Sequence, residues 1–275
     1  MASRQGAYKV EWPTLGLIAA TYGAWALGVL YYAQLSSWIA IPLLALTLTL
    51  HSSLQHETIH GHPLPNRTLS AALMFPALGL FVPYGRFRDL HLIHHKDARL
   101  TDPYDDPESA YFAPEVFQTL PGWAKAILRF NNTLVGRIVI GPLVGLEAFY
   151  RTERQLLRAG SPAVQRDWLL HLWGLVPVAA LLWVGSCPWW AYLLAAYGAQ
   201  SLLKIRTYLE HQAHEKVSGR SVIIEGRGLL PFLFLNNNLH SVHHANPTVA
   251  WYDLPRLYHA RRDEFLRRNR GYYYP

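Results

Sequence analysis

Residues 238–244 read Asn-Leu-His-Ser-Val-His-His. In a helix, positions i, i+3 and i+4 lie on one face, so His240, His243 and His244 point the same way. The spacing recurs in His91-Leu92-Ile93-His94-His95, and His56-Glu57-Thr58-Ile59-His60 sets two histidines one turn apart. Eight of the chain's 14 histidines fall in these three boxes. Neutral imidazole is the commonest side-chain ligand for zinc, copper, iron and nickel, so the boxes read as a metal site. His211, which follows Glu210, offers a ninth ring. One ion cannot use that many nitrogens, whereas two ions of five or six ligands each can. Neutral rings leave such a cluster strongly positive, and Glu57, Asp89 and Glu210 are placed to orient them. Asn236, Asn237 and Asn238 precede the third box. They offer a helix cap, the ordinary role, or a water-mediated metal contact, here assigned to Asn236.

The first box is also the H-E-x-x-H pattern of zinc metalloproteases, with Glu57 as general base. A catalytic zinc takes three protein ligands and a water. That would leave most of the other two boxes without a purpose. The remaining histidines have plainer readings. His51 and His62 are expected to pack or to orient the first box. His171, inside an apolar run, is expected to be a neutral ring bonded to a neighbouring helix, and His259 to face solvent. His214 lies three residues after His211 and competes with it as the ninth ligand.

The elements that carry these boxes belong to a membrane. Hydrophobic residues make up 51% of the chain and charged residues 16%, with 10 Trp and 16 Tyr. Trp and Tyr gather where a bilayer meets water. A span needs about 20 apolar residues, and residues 14–35, 38–54, 168–185 and 188–208 supply four such runs. The expected fold is all-α and integral to the membrane, a single domain over 1–275, with four spans in two hairpins and a cytoplasmic helical cap holding the histidines. Arg4 and Lys9 precede the first run, which is too long for a signal-peptide core and is expected to be retained. Thr68 to Phe87 is interrupted by Pro76, Gly79, Pro83 and Gly85, so it is expected not to cross. Thr133 to Tyr150 fits an interfacial helix.

The net charge of +7 follows the cytoplasmic excess of Lys and Arg, shown by Arg256, Arg261, Arg262, Arg267, Arg268 and Arg270 in the tail. Arg86, Arg88, Lys96 and Arg99 around the second box fit the same bias, with a lipid phosphate or an acidic electron donor as their more specific use. No basic soluble module suited to nucleic acid is evident. Cys187 is the single cysteine, which excludes a disulfide framework and an iron–sulfur cluster held by this chain alone. Any electrons the site consumes must arrive from elsewhere.

H-E-T-I-H, H-L-I-H-H and H-S-V-H-H, in that order and separated by paired apolar runs, resemble the histidine boxes of the membrane fatty acid desaturase and hydroxylase superfamily. The piece Tyr208-Leu209-Glu210-His211 resembles the extra motif of its alkane-hydroxylase branch. The resemblance runs from about the second apolar run to Leu254. It implies a non-haem centre of two iron ions with His56, His60, His91, His94, His95, His211, His240, His243 and His244 as ligands. It also implies O2 as co-substrate and attack on an unactivated C–H bond of a long apolar substrate. Leu-Thr-Asp-Pro and Asp-Asp-Pro-Glu-Ser after the second box resemble bacterial acyl desaturases, hence an inner-membrane enzyme working on the cytoplasmic side. Hydroxylases and carotenoid ketolases share the boxes and stand as the alternative. A zinc intramembrane protease and a metal-binding membrane protein without catalysis are more distant ones. The electron donor implied is a separate ferredoxin, rubredoxin or cytochrome b5 with its reductase.

Overall fold

The computed structural model describes residues 10–96 and 100–275, so Arg4, Lys9 and Arg99 lie outside the described residues. The fold is all-helical. Its long elements are α1 (Trp12–Leu30) and α2 (Ser37–Ile59), followed by the short α3 (Arg67–Leu73) and α4 (Tyr84–His94). Four helices cross the middle of the sequence: α5 (Pro114–Thr119), α6 (Gly122–Asn131), α7 (Leu134–Val139) and α8 (Gly141–Arg158). Two long helices come next, α9 (Pro162–Val184) and α10 (Trp189–Leu209). The chain closes with α11 (Leu229–Leu233), α12 (His240–Ala245), α13 (Leu254–Ala260) and α14 (Arg262–Arg268). A two-residue parallel pair, β1 (Ile223–Ile224) and β2 (Tyr273–Tyr274), ties the tail to the segment before α11. Proline opens the first turn of α1, α8, α9 and α13, where its missing N–H would have no partner in any case.

Among the described residues α1, α2 and α9 are long and apolar enough to cross a membrane. α10 has comparable length, 21 residues, but carries Lys204 and Arg206 near its end. The first expected hairpin is present, with α1 packed on α2. The second is a hairpin by connectivity, turning at Ser186-Cys187-Pro188, but its arms part: α9 packs on α1 and α10 on α2. Small residues explain the second contact. Ala191, Ala195, Ala196 and Ala199 of α10 are buried, and Gly198 lies so close to α2 that an added Cβ would sit 3.2 Å from that of Ala45. Close backbone approach over small residues is how helices associate in lipid, where no hydrophobic effect separates them from the solvent.

The stretch rich in Pro and Gly behaves as its breakers require. α3 stops at Leu73, and residues 74–83 are non-helical until α4 begins. This piece is set among the long helices. Leu78 and Ala77 are buried, and the Ala77 N–H donates to Gly174 O in the middle of α9. Its carbonyls are met by side chains: Leu78 O by Tyr192 Oη at 2.9 Å, Leu80 O by His171 Nε2 at 2.8 Å, and Phe81 O by Tyr150 Oη at 2.8 Å. Irregular backbone beside apolar helices persists only when its polar groups are satisfied in this way. His171 therefore donates to this loop rather than to a neighbouring helix.

Gly174 makes the approach possible, since a Cβ there would lie 2.5 Å from Phe75 O. Gly174→Leu is expected to destabilise the protein by about 1–3 kcal/mol, seen as a lower midpoint of thermal unfolding in detergent. Gly16→Leu, where no atom lies within 4 Å of the added carbon, is the control and should change the midpoint little.

Candidate metal centre

The histidines arrive from four directions. The last turn of α2 supplies His56 and ends on His60, α4 carries His91 and His94 and ends on His95, and α12 carries the third box. His211 follows the end of α10, where Ser221 pairs with it in an isolated bridge. Nine rings from four stretches of sequence thereby converge in two groups. His56, His60, His91, His95 and His243 form one, and His94, His211, His240 and His244 the other, with donor atoms within 4.8 Å of one another in each. The groups adjoin: His95 of the first stacks on His244 of the second at 4.1 Å between ring centroids.

Within the groups the nitrogens meet head on. The Nε2···Nε2 separations are 3.1 Å for His60–His91, 3.2 Å for His95–His243, 3.0 Å for His94–His211, 2.9 Å for His211–His240 and 3.1 Å for His240–His244. The opposite nitrogens show what these contacts are. Nδ1 of His94 donates to Asp106 Oδ1 at 2.9 Å, that of His240 to Asn237 Oδ1 at 3.1 Å, and that of His211 to Arg220 O at 3.3 Å. A neutral ring with its proton on Nδ1 presents a bare lone pair on Nε2. Three such rings facing one another at 2.9–3.0 Å repel unless a cation lies between them. Two imidazole nitrogens bound to one ion at about 2.1 Å and at right angles are about 3.0 Å apart, which matches. In the first group the buried His56 Nε2 has no hydrogen-bond partner, as expected of a nitrogen kept for a metal. Both groups fit an ion.

The protein maintains the neutral state by burial. His95 is held at about 2 and His211 at about 3, chiefly by desolvation and then by neighbouring rings. His240, His243 and His244 lie well below the ordinary value for the same reasons. His94 is the exception. Burial opposes its charge, but Glu108 and Asp106 together hold it above the ordinary value. Partial withdrawal from water works against the Glu108 carboxylate too, although it stays in part exposed, yet His91 and His94 keep it well below the usual range.

A pH dependence follows for the metal-free protein. Below the ordinary histidine value of about 6.5, the unfolded chain takes up protons that the depressed rings of the fold, His60 among them, refuse, while the raised His62, His94 and Glu210 work in the opposite sense and are fewer. Stability should therefore fall as pH drops from about 6.5 towards 5. Thermal unfolding of chelator-treated protein from pH 8 to pH 5 checks this, and a midpoint that stays flat or rises across the range would contradict it.

The carboxylates that orient the rings come largely from a place that proximity in sequence does not show. Asp106 and Glu108 sit in the acidic loop after the second box and bond His94 and, at 3.0 Å, His91 Nδ1. Glu210 acts through an intermediary: Asn237 Nδ2 donates to its Oε1 at 3.2 Å while Asn237 Oδ1 receives His240. Glu57 Oε2 instead accepts the Trp251 N–H at 3.3 Å, fastening the C-terminal segment to α2. Asp89 pairs with Arg88 at 2.7 Å, and Asn236 donates to Trp251 O at 2.9 Å. No asparagine caps α12, whose cap position is Leu239. α10 ends before His211, so His211 and His214 do not share a helix, and His214 Nδ1 is taken by the Lys216 N–H at 3.0 Å. Of the basic residues around the second box, Arg86 is buried in a bidentate pair with Glu153, its Nη2 2.8 Å from Oε1, which removes it as a lipid or donor contact. His51 meets the Tyr22 hydroxyl at 3.3 Å, and His62 bonds Glu11 at 2.6 Å.

Two adjoining rosettes of largely buried imidazoles, gathered where α2 and α10 end, form donor sets able to hold metal ions in a protein with membrane-length apolar helices. The chain matches the fatty acid desaturase family over residues 33–275 and belongs to that family. No curated protein matches it closely enough to suggest a specific reaction.

Proposed function

We propose that the protein is an O2-dependent di-iron desaturase that introduces a double bond into a long-chain fatty acyl or lipid substrate. The observation that carries this reading is the pair of histidine groups whose Nε2 lone pairs face one another. His56, His60, His91, His95 and His243 would hold one iron and His94, His211, His240 and His244 the other. Iron supplies there the redox chemistry and the O2 activation that breaking an unactivated C–H bond requires, which zinc does not offer. The chain's own residues do the rest. Asp106, Glu108 and Asn237 keep protons on Nδ1 and fix the ring planes, and burial of His56, His91, His94, His240 and His243 excludes bulk water.

The whole chain, 1–275, reads as one domain. α9 leads away from the region of the boxes and His211, just beyond α10, returns to it, which supports α10 as a fourth span as deep as α9. All boxes then lie on one side, and the basic tail argues for the cytoplasmic face of a bacterial inner membrane. Electrons would come from a separate ferredoxin, rubredoxin or cytochrome b5 with its reductase. The protease alternative is weakened because Glu57, its required base, is engaged by the Trp251 backbone.

The test is the metal content of protein purified in neutral detergent from iron-supplemented cells, joined to lipid analysis of the host. About two irons per chain and new double bonds are expected. Products bearing a new oxygen would move the reaction to hydroxylation, and about one zinc with little iron and an unchanged lipid profile would overturn the oxygenase reading.

A further inference from the structure

α10 delivers two basic side chains to the zone between the apolar helices and the histidines, and only one of them is held in a contact ion pair. Arg206 Nε lies 2.8 Å from Glu210 Oε1. Lys204 runs instead along α8: a Cβ on Gly141 would meet its Cγ at 3.4 Å, and one on Gly145 its Nζ at 3.0 Å. Arg137 of α7 comes to the same place, with Cδ 3.5 Å from the Gly141 position and Nε donating to Asn131 O at 3.1 Å. Among the described residues neither Lys204 nor Arg137 forms a contact ion pair with a carboxylate, although both are only partly exposed; Glu108 and Glu210 act on Lys204 from beyond ion-pair distance. Two adjacent cations half-withdrawn from water are unfavourable without a counter-charge. An anion is the missing component of this seam. Gly141 and Gly145, four residues apart on one face of α8, make room for the Lys204 side chain to lie along that helix.

The level of the seam identifies where the anion comes from. Lys204 lies 15 residues after Trp189, about 22 Å along the helix. With the exposed Trp189 and Trp190 at the far interface, a hydrocarbon layer of about 30 Å places the Lys204 ammonium just under the near headgroups, within reach of them by extension. Val135, Val139 and Leu143 beside it are exposed, as befits contact with acyl chains. Tyr197 Oη donates to Val139 O at 2.5 Å and holds α7 against α10.

We propose that the seam between α7, α8 and α10, through Lys204 and Arg137, binds the anionic headgroup, carboxylate or phosphate, of the lipid substrate. Its identity as substrate, and not the binding itself, rests on the desaturase reading above. The headgroup fixed here would set how far along the chain the metal centre acts.

The test uses the full metal-loaded protein in neutral detergent, with bound amphiphile counted by native mass spectrometry. Palmitate, phosphatidylglycerol, inorganic phosphate and, as the uncharged control, hexadecanol are offered in turn. The wild type should bind palmitate or phosphatidylglycerol, the preferred one identifying the headgroup. Lys204→Gln with Arg137→Gln should weaken that binding by at least about tenfold while leaving hexadecanol binding and metal content unchanged. Lys204→Arg should retain it, and Lys204→Gln alone serves if the double variant does not fold. Equal binding of charged and uncharged amphiphiles by wild type and variant would overturn the proposal, as would binding of inorganic phosphate in preference to either lipid. A wild type that binds the anionic lipid through Lys204 but never turns it over would fail the desaturase reading alone.

Discussion

His94→Ala is expected to lower turnover by at least about 100-fold and to take metal out of one group while sparing the other. His94 belongs to the group of four, so its loss leaves His211, His240 and His244, whereas loss of His95 from the group of five leaves four rings. The smaller group has less to spare. His94 also receives the most elaborate support, from Asp106 and Glu108, and its Nε2 lies 3.0 Å from that of His211. Its removal breaks the ring contact and leaves the buried Asp106 carboxylate facing an empty space. Iron per chain by elemental analysis, with lipid unsaturation by gas chromatography, should show a deeper loss for His94→Ala than for His95→Ala. His214→Ala, at a ring turned to the Lys216 backbone, should behave as wild type. Full iron and full turnover in His94→Ala would remove this ring from the centre.

Eight of the nine rings were legible in the sequence because their spacing is local: i, i+3 and i+4 on a helix is a statement about one turn of backbone, and α2, α4 and α12 carry it; His211, beyond the end of α10, was legible only from its place after Glu210 and the resemblance. The breakers at Pro76, Gly79 and Pro83 were legible for the same reason. What orients the rings was not. Glu57 and Asp89 are next to boxes in sequence, but backbone geometry turns the first to Trp251 and Arg88 claims the second. Asp106 and Glu108 stand 12 and 17 residues from the rings they bond. They reach them only because the loop folds back over α4, with Arg220 donating to Leu100 O at its start. A signal did exist, since two acids flanking Pro107 directly after a histidine box are ill suited to any helix and well suited to a return loop. The pairing of α10 with α2 was likewise hidden. Connectivity suggested α9 as the partner, and the alanines that decide the matter mark a packing face without naming what packs there.

The same loop yields the second large effect. Asp106 is buried at 5% exposure and receives three donors: His94 Nδ1 at 2.9 Å, Thr101 N at 2.8 Å and Glu108 N at 3.0 Å. Asp106→Asn keeps the shape but exchanges one acceptor oxygen for an NH2 group, so at least one donor is left facing another donor. The amide oxygen can keep both His94 Nδ1 and Glu108 N only by turning the NH2 group against the Thr101 N–H, which loosens the loop, and the reverse orientation opposes both His94 and Glu108 N. Either way the charge that held the His94 Nδ1 proton is gone, and with it the firm orientation of the ring whose Nε2 faces His211. Losses of this kind cost about 10–100-fold in metal affinity or activity, and Asp106→Asn is expected at the upper end. Glu108→Gln should cost less, because the Glu108 side chain is 31% exposed and water can replace the lost acceptor beside His91. Chelator competition gives the order directly, with circular dichroism to check that each variant is folded. The expected sequence is wild type, then Glu108→Gln, then Asp106→Asn in falling affinity. If the two variants exchange places, the exposed carboxylate is the one that holds the rings, and burial of Asp106 serves the loop instead of the metal.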